Sequence, residues 1–428
     1  MEVVLLMPGQ GNIGQAVILC GGLGIRLRPL TDNLTKPMVP VNGKPFLHHL
    51  LTQLSEQGTT RFALLTGYLG ERIRDYFGDG SQWGWSICYS HGPAEWDTGR
   101  RVWEARNLFD SRFLFLYSDN CVQFNLQRLL ALHHKQNVPI SLLLAPKEKG
   151  NIRVSAEGRI EAYDKTRSGE SFNYVEVGYM LIERDLVLGD FPSYKKHPDF
   201  NFSALLQKFA LQSRIAGLVI RDPYHSISDP DRLQLMCEYL KPKKILLIDR
   251  DGTINKKAPQ GEYVMSWSKF EWIPEARQAM KILAKNGFRF IVITNQAGIA
   301  RKMIDPIDLE ATHRNMIEAL AQDGIEVLKV YMSPHHWSEN SFMRKPSPGM
   351  FFQAAKEFKL RMDRCLYVGD DERDCQAALN AGCGMVYVSS EKQPLSLAEY
   401  PSPYFRAETV LGSIEQIRET YARWEAIA

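Results

Sequence analysis

The sequence has almost no imbalance of charge. Its 428 residues include 52 Lys and Arg against 49 Asp and Glu, which gives a formal net charge of +3. A chain so close to neutrality has no overall field that would draw it to nucleic acid or to an anionic membrane. Any charge that binds phosphate must therefore be local, and we expect neither nucleic acid nor a membrane among the partners.

Paired cysteines and long apolar runs are also missing. The seven cysteines are an odd number, and no two of them form a CxxC pair. Scattered thiols of this kind are typical of a reducing cytosol. The opening MEVVLLMPGQGN has no basic leader and no small-residue cleavage pattern, and no segment reaches transmembrane length. These absences predict a cytoplasmic protein.

What is present indicates two α/β domains. Hydrophobic residues make up 44% of the chain, enough for a large core, and 428 residues exceed one ordinary domain. Short apolar runs alternate with helical stretches from Ala16 to about Pro146, followed by a strand-rich extension, and alternate again after residue 244. The segment KPKK separates the two series. We therefore predict domains at 1–240 and 241–428, each a mostly parallel sheet flanked by helices.

The stretch ILLIDRDGTIN places two carboxylates after an apolar run. Asp249 and Asp251 would lie at the end of a strand, where α/β sheets gather their ligands. Gly252 permits a turn that aims both carboxylates at one site. A carboxylate can attack phosphorus if a divalent cation screens the substrate and an acid protonates the leaving oxygen. Asp249 is the expected nucleophile and Asp251 the expected acid and base.

Three later strand ends supply what this reaction still lacks. Thr294 in VITNQ can hold phosphoryl oxygens, Lys345 in MRKPS can offset negative charge, and Asp370 in LYVGD can hold magnesium. Taken singly, paired acids, a threonine or a lysine at such places would indicate turns, caps or surface charges. In this order, each after an apolar strand, they predict one phosphatase site.

These motifs resemble the haloacid dehalogenase superfamily of phosphatases over about residues 244–388. Within it, DRDGTIN, TNQAGIAR and RKPSPGM are similar to the branch that contains heptose-1,7-bisphosphate 7-phosphatases, with histidinol-phosphate phosphatases and polynucleotide 3′-phosphatases as relatives. The resemblance implies magnesium ligands at Asp249, Asp251 and Asp370. It also implies contacts with substrate phosphate or its neighbourhood from Asn295, Arg301 and Arg344.

One loop departs from this branch, which commonly has a structural zinc site that reads CxH and then CxC before RKP. The matching positions here are Ser333, His335, Ser341 and Met343, so the thiolate ligands are missing. We therefore expect no structural zinc. His335 and its neighbour His336 are expected to be ordinary loop histidines.

The first half contains a glycine-rich loop in the segment AVILCGGLGIRLRPLTDNLTKPMVPVNGKP. Backbone amides of such a loop approach a triphosphate closely, and Arg26 and Lys36 can add charge as pyrophosphate leaves. With RLxPLT and KPMVPVxGKP behind the loop, the segment resembles the sugar-nucleotide pyrophosphorylase family, and the similarity extends to about residue 240. The implied nucleotide-binding glycines are Gly21, Gly22 and Gly24.

The same resemblance assigns three residues farther along this half. Asp119 in FLFLYSDN matches a metal-binding aspartate, Lys165 a lysine on the sugar phosphate, and Gly178 the glycine of a sugar-binding strand. The implied reaction is metal-assisted attack of a sugar-1-phosphate oxygen on the α-phosphorus of a nucleoside triphosphate. Magnesium is therefore expected in both halves.

Several positions of this half depart from the family pattern. The loop threonine is Ile25, a segment usually like LGTGGA reads WDTGRRV at 96–102, and the first aspartate of DIGxPED, a second metal ligand, is Ser226. Asp229 or Asp231 could substitute for it by a shift of register. If neither does, this half is slow, specialised, or only a binding module.

Together the halves predict a bifunctional enzyme of nucleotide-activated heptose synthesis. Removing the 7-phosphate of D-glycero-D-manno-heptose 1,7-bisphosphate leaves a sugar 1-phosphate, which is a substrate for nucleotidyl transfer in the synthesis of lipopolysaccharide or surface polysaccharide. GTP is the expected nucleotide, because the similar manno-heptose enzymes use it. The expected partners are thus a sugar phosphate and a nucleoside triphosphate.

Three alternatives stay open at this point. The phosphatase half could act on histidinol phosphate or another small ester. The first half could be a silent module that binds a sugar nucleotide, which Ser226 favours. DNA-end repair by the phosphatase half would need a basic groove, which the near-neutral charge disfavours. Related nucleotidyltransferases often assemble, so a homo-oligomer is a further expectation.

Overall fold

The computed structural model describes residues 13–164, 172–189, 191, 199–259, 261–391 and 395–427. The chain divides into two compact units, Met1–Cys237 and Glu238–Ala428. Each is an α/β structure with helices around a mostly parallel or mixed sheet, so the predicted fold class is confirmed. In the described ranges no helix combines the length and apolarity needed to cross a membrane.

The first unit contains a nine-stranded sheet and two short ribbons. Its strands are β1 (Gln15–Cys20), β2 (Pro40–Val41), β3 (Lys44–Pro45), β4 (Arg61–Thr66), β5 (Ser86–His91), β6 (Arg112–Tyr117), β7 (Asn120–Cys121), β8 (Ile140–Pro146), β9 (Ile152–Val154), β10 (Ile160–Tyr163), β11 (Tyr174–Glu183), β12 (Ile215–Val219) and β13 (His225–Ser226). Its helices are α1 (Phe46–Glu56), α2 (Gly70–Phe77), α3 (Thr98–Ala105), α4 (Leu126–Gln136), α5 (Arg184–Leu188), α6 (Phe202–Leu211) and α7 (Pro230–Leu240).

The centre of this sheet is parallel and positions the glycine-rich loop. Strand β1 pairs in parallel with β4 on one side and with β6 on the other. All six residues of β1 are buried, as expected for an apolar strand covered on both faces. The loop after β1 and the loop after β6 therefore leave the sheet at the same edge. Strand β11 pairs antiparallel with β6 and so joins the strand-rich extension to the parallel centre of the sheet.

The second unit is built on a six-stranded parallel sheet, in the order β16-β15-β14-β17-β18-β19. Its strands are β14 (Ile245–Ile248), β15 (Arg289–Asn295), β16 (Val327–Ser333), β17 (Leu366–Gly369), β18 (Gly384–Val388) and β19 (Tyr404–Ala407). Its helices are α8 (Pro274–Lys285), α9 (Pro306–Gln322), α10 (Gly349–Phe358), α11 (Glu372–Ala381) and α12 (Ile414–Ile427).

The apolar run of β14 explains why this sheet is covered on both faces. Successive side chains of a strand point to opposite faces, and the four residues of β14 divide between two cores. Leu246 and Ile248 lie in one hydrophobic cluster, and Ile245 and Leu247 lie in the other. A continuous apolar strand of this kind is the signature of a buried parallel sheet.

One helix starts earlier than the sequence pattern indicated. We predict a helix from about Leu309 to Gln322, whereas α9 begins at Pro306. The Asp305 side chain caps this end, because its Oδ1 accepts a hydrogen bond from the Ile307 amide at 2.7 Å. Proline is well tolerated in the first turn of a helix, so the Asp-Pro pair marks the true start.

Candidate active sites

In the second unit, three neighbouring strands carry the predicted phosphatase residues at their carboxyl ends. Asp249 follows β14, Thr294 lies near the end of β15, and Asp370 follows β17. Strand β14 lies between the other two, and all three are parallel, so their ends meet at one edge. Topology therefore brings together three residues that are up to 121 positions apart in the sequence.

The turn after Asp249 depends on Gly252. This glycine has a φ of +91°, a left-handed conformation that other residues rarely adopt. A Cβ atom at this position would lie only 2.2 Å from Oδ2 of Asp370. Gly252 therefore permits both the turn and the close approach of the Asp370 carboxylate to the backbone.

A cluster of three carboxylates forms at this edge of the sheet. Asp249, Asp370 and Asp374 each offer an oxygen, and these oxygens lie within 4.8 Å of one another. Lys345 lies among them with 3% exposure, and its Nζ is 2.9 Å from Asp249 and 2.7 Å from Asp374. A single buried cation thus neutralises part of the negative charge beside the predicted nucleophile.

Asp374 holds Lys345 in place. Its Oδ1 accepts hydrogen bonds from Lys345 Nζ at 2.7 Å and from the Tyr367 hydroxyl at 3.1 Å. Its Oδ2 accepts from the Asp371 amide at 3.1 Å. Both oxygens of Asp374 are therefore occupied by protein donors. Asp374 therefore orients the lysine, whereas Oδ1 of Asp370 has no hydrogen-bond partner among the described residues.

The pKa of Asp249 reflects this crowded position. Burial raises the pKa of its carboxyl above the ordinary value, and the charge of Lys345 opposes that rise. The neighbouring Asp374 and Asp370 raise the pKa further. A second cation beside Asp249 would favour the ionised form, which is the form that can act as a nucleophile.

The donor set fits magnesium. Asp370 Oδ1 is buried and has no hydrogen-bond partner, although its Oδ2 lies 2.8 Å from Lys257 Nζ. An oxygen that is buried and unsatisfied is suited to a bound cation. Magnesium prefers oxygen ligands and is usually held by one or two carboxylates together with substrate phosphate. Asp249 and Asp370 meet this requirement.

Asp251, the third predicted magnesium ligand, lies outside the carboxylate cluster. Its carboxylate accepts hydrogen bonds from the side chains of Arg250, Asn255 and Gln296. Burial alone would raise the pKa of Asp251, but the charge of Arg250 and these hydrogen bonds outweigh burial and lower it. These donors hold the Asp251 carboxylate in its ionised form, apart from the three-carboxylate cluster.

The predicted phosphate-binding residues divide into two groups. Thr294 Oγ1 lies 3.0 Å from Gln296 Nε2, at the end of β15 and next to the carboxylates in the sheet. Asn295 is part of the scaffold, because its side chain donates to the carbonyl of Lys345 and accepts from its amide, both at 3.0 Å. The loop that carries the lysine is thereby attached to the neighbouring strand.

Arg301 is exposed, and Arg344 is partly buried. The Arg301 guanidinium lies 5.7 Å from the ring centre of Tyr263 and 5.8 Å from that of Trp337. Arg344 Nη1 donates to the carbonyl of His335 at 3.1 Å, and burial lowers the pKa of Arg344. Aromatic rings thus contact Arg301, and a backbone carbonyl orients Arg344.

The loop that occupies the positions of the family's zinc site is held by hydrogen bonds to the Glu339 carboxylate. His335 Nδ1 lies 2.9 Å from Glu339 Oε2, and the amide of His336 donates to Glu339 Oε1 at 2.6 Å. In the described part of the chain, the cluster of three potential metal ligands contains only aspartates. His335 and His336 are thus engaged with their own loop.

Sequence reasoning missed four side chains of this site. Asp374 lies four residues after Asp370 in the same DDERD motif, so a helical spacing of four was the available signal. Gln296 directly follows the TN pair, and Arg250 separates the two aspartates of DRD. His313 had no signal, because it is brought to the site only by the packing of α9.

In the first unit, the predicted nucleotide residues line one cleft of about 830 Å³. The glycine loop after β1, the residues after β6 and the strand β11 contribute to its walls. Every predicted residue of this half lies there except Lys165, which is outside the described residues. The predicted residues that line it are Gly21, Gly22, Gly24, Arg26, Lys36, Asp119 and Gly178.

Lys36 and Asp119 are paired within this cleft. Lys36 Nζ lies 2.8 Å from Asp119 Oδ2, and the two side chains are 15% and 31% exposed. The resemblance implies a lysine on phosphate and an aspartate on metal, whereas the structure joins these two side chains to each other. Within the described residues, no cluster of three potential metal ligands includes Asp119.

Ser226 contacts a serine and an arginine in the structure. Its hydroxyl accepts hydrogen bonds from Ser228 at 3.0 Å and from Arg232 at 3.3 Å. Asp229 instead accepts from the amide of Arg232 at 3.0 Å, in the first turn of α7. Neither Asp229 nor Asp231 lines the cleft. Of the two metal-ligand positions that the resemblance implies, only Asp119 therefore places a carboxylate at the cleft.

Arg101 is an unpredicted residue of the cleft. It is 6% exposed and lies in α3, within the WDTGRRV segment. A Cβ on Gly21 would lie 2.5 Å from its guanidinium carbon, so the glycine allows the arginine to pack beneath the loop. The guanidinium donates, at 2.5 to 3.4 Å, to the carbonyls of Thr66, Gly92, Pro93, Ala94 and Trp96.

Comparison with known proteins gives a different match for each part of the chain. A family model described as nucleotidyl transferase matches residues 15–188, and one described as polynucleotide kinase 3 phosphatase matches residues 244–382. A D-glycero-beta-D-manno-heptose-1,7-bisphosphate 7-phosphatase from Bordetella bronchiseptica is 32% identical over 176 residues, which cover 41% of this chain and 97% of the relative.

Two further similarities concern the same part of the chain. A D-glycero-alpha-D-manno-heptose-1,7-bisphosphate 7-phosphatase from Mycobacterium tuberculosis is 38% identical over 105 residues, which cover 24% of this chain and 55% of the relative. The crystal structure of D,D-heptose 1,7-bisphosphate phosphatase from B. bronchiseptica, complexed with magnesium and phosphate, has 31% identity and a TM-score of 0.38. The match covers 41% of this chain and 98% of that one.

Proposed function

Because the chain belongs, through its C-terminal unit, to the family of D-glycero-D-manno-heptose-1,7-bisphosphate 7-phosphatases, we propose that this unit removes the 7-phosphate of such a bisphosphate. The observation that carries the proposal is the buried arrangement of Asp249 and Lys345 beside Asp370. It provides a nucleophile, a fixed cation and a ligand oxygen for magnesium at one edge of the sheet.

The proposed reaction has two steps. An oxygen of Asp249 attacks phosphorus, the bond from phosphorus to the sugar oxygen breaks, and Asp251 gives that oxygen a proton. A water molecule then attacks the phosphorus of the aspartyl phosphate while Asp251 takes its proton, which releases phosphate and regenerates Asp249. Thr294 and Lys345 hold the phosphoryl oxygens and balance their charge. Magnesium, held by Asp249 and Asp370, would neutralise charge on the transferring group.

For the first unit, we propose nucleotidyl transfer from GTP to the heptose 1-phosphate that the second unit produces. The match of residues 15–188 and the cleft formed by the glycine loop, Arg26 and Lys36 support this proposal. Backbone amides of the loop and the two side chains would bind the triphosphate. The product of one reaction is the substrate of the other, which gives a chemical reason for joining residues 1–240 to 241–428. We propose GTP as the nucleotide because the manno-heptose enzymes that this half resembles use it.

A second candidate for the first unit is a module that binds a sugar nucleotide without turning it over. The contacts of Ser226 with Ser228 and Arg232 favour it, because this position supplies no carboxylate and Asp119 is paired with Lys36. A phosphatase for another small ester, such as histidinol phosphate, is the matching alternative for the second unit.

One assay separates these possibilities. Phosphate release is measured with both anomers of heptose 1,7-bisphosphate, histidinol phosphate and a 3′-phosphorylated oligonucleotide, and pyrophosphate is then measured after each nucleoside triphosphate is added. We expect phosphate from a heptose bisphosphate and pyrophosphate with GTP. Phosphate without pyrophosphate under any nucleotide would refute transfer by the first unit, and preference for another ester would refute the heptose assignment.

A further inference from the structure

Arg250 holds the carboxylate of its neighbour, Asp251, in a defined orientation. The Arg250 side chain has no exposure to solvent. Its Nη2 lies 2.8 Å from both oxygens of Asp251, and its Nε lies 3.2 Å from Oδ1. Bidentate contacts between a guanidinium and a carboxylate fix geometry as well as charge. Asp251 is therefore restrained by a cation that cannot itself reach solvent.

The remaining nitrogen of Arg250 connects this pair to helix α9. Nη1 lies 2.8 Å from Nε2 of His313, which is 9% exposed. A guanidinium only donates hydrogen bonds, so Nε2 of His313 accepts and the ring proton lies on Nδ1. His313 thus fixes the rotation of the guanidinium, and through it the orientation of Asp251.

The other contacts of Asp251 complete a set of donors. Asn255 Nδ2 lies 2.9 Å from Oδ1, and Gln296 Nε2 lies 2.8 Å from Oδ2. Gln296 Nε2 is also 3.0 Å from Thr294 Oγ1, at the predicted phosphoryl site. Every described partner of the carboxylate donates a hydrogen bond to it. Asp251 is consequently held as an acceptor, the form needed to take a proton from water.

We propose that Arg250, fixed by His313, is a positioning residue that holds Asp251 as the base for hydrolysis of the aspartyl phosphate. The inference rests on the proposed phosphatase function. In this step the water oxygen bonds to phosphorus, the bond from phosphorus to the Asp249 oxygen breaks, and the proton of water passes to Asp251. A loosened Arg250 should slow this step and leave the preceding attack by Asp249 unaffected when the leaving group needs no proton.

The test compares His313→Leu, which removes the acceptor, with His313→Gln, whose side-chain oxygen can still accept from Arg250. The substrate is p-nitrophenyl phosphate, because nitrophenolate leaves without a proton. For His313→Leu we expect kcat to fall about tenfold or more, with kcat/KM within about twofold of wild type. Rapid mixing should show a burst of nitrophenolate, and intact mass should show covalent phosphate on the enzyme. His313→Gln should behave like wild type.

Equal losses of kcat and kcat/KM without a burst would show general structural damage and overturn the proposal, as would an unchanged kcat. If His313→Leu does not fold, Arg250→Lys replaces it, since lysine keeps the charge but loses the bidentate contact. The same split between kcat and kcat/KM is then expected. A wild-type chain that releases no phosphate from any ester would instead refute the phosphatase function itself.

Discussion

Replacing Lys345 with methionine should lower the free energy of unfolding of the second unit more than replacing an exposed lysine does. The lysine is 3% exposed, and its ammonium lies 2.9 Å from Asp249 and 2.7 Å from Asp374. Methionine fills a similar volume but leaves two buried carboxylates close together without a cation. Breaking a buried ion pair in this way costs about 3–5 kcal/mol, because an uncompensated charge stays buried.

The matched control is Lys329→Met, on the surface of the same unit. Lys329 pairs with Glu357 at 2.6 Å, and their side chains are 42% and 41% exposed. An exposed pair of this kind contributes about 0–1 kcal/mol. Urea unfolding of each variant, followed by a signal from the second unit, gives the two free energies for comparison.

A double variant tests whether the loss of stability in Lys345→Met arises from the two carboxylates. Adding Asp374→Asn to Lys345→Met removes one of the two negative charges, so part of the lost free energy of unfolding should return. The two changes should therefore be less destabilising together than the sum of their separate effects. Phosphatase activity should stay low in the double variant, because the cation beside Asp249 is still missing. A loss below about 1 kcal/mol for Lys345→Met, or simple additivity of the two changes, would refute this account of the cluster.

Three further predictions concern the two sites separately. Asp249→Asn should abolish phosphate release but leave pyrophosphate release unchanged when heptose 1-phosphate is supplied; loss of both in a folded variant under that condition would contradict two independent sites. Lys257→Gln should tighten magnesium binding about threefold to fivefold in calorimetry without substrate, because Lys257 competes for Asp370 at 2.8 Å. The control, Lys256→Gln, lies in an exposed pair and should bind magnesium like wild type, and equal effects of both would exclude local competition. Lys36→Met should weaken GTP binding about tenfold, measured by calorimetry, and should leave phosphatase activity intact; unchanged GTP affinity would remove Lys36 from the nucleotide site.

Local sequence patterns predicted much of the fold, because the placing of apolar residues follows burial directly. The ILLI run of β14 is apolar throughout since both faces of its sheet are covered. The start of α9 was less evident, because a side-chain cap on Asp305 decides it and not the apolar periodicity. Patterns therefore located the elements, while hydrogen bonds at their ends set the exact bounds.

Motif residues at strand ends were predictable for a similar reason. Asp249, Thr294 and Asp370 each follow an apolar run, and parallel strands present their carboxyl ends at a common edge. In the first unit the glycines and Arg26 likewise follow a buried strand and line the cleft. For these residues, position in the chain and the rule of strand ends are enough to place them together.

The sequence by itself thus determined two α/β units and the chemical groups available to each, since strand patterns and adjacent motifs are local. Only the tertiary structure decided how those groups are paired. Lys36 faces Asp119 across 83 positions of sequence, and His313 reaches Arg250 across 63. The physical reason is that a charge is satisfied by whichever partner packing brings within hydrogen-bond distance, and that partner is set by the fold and not by neighbours in the chain.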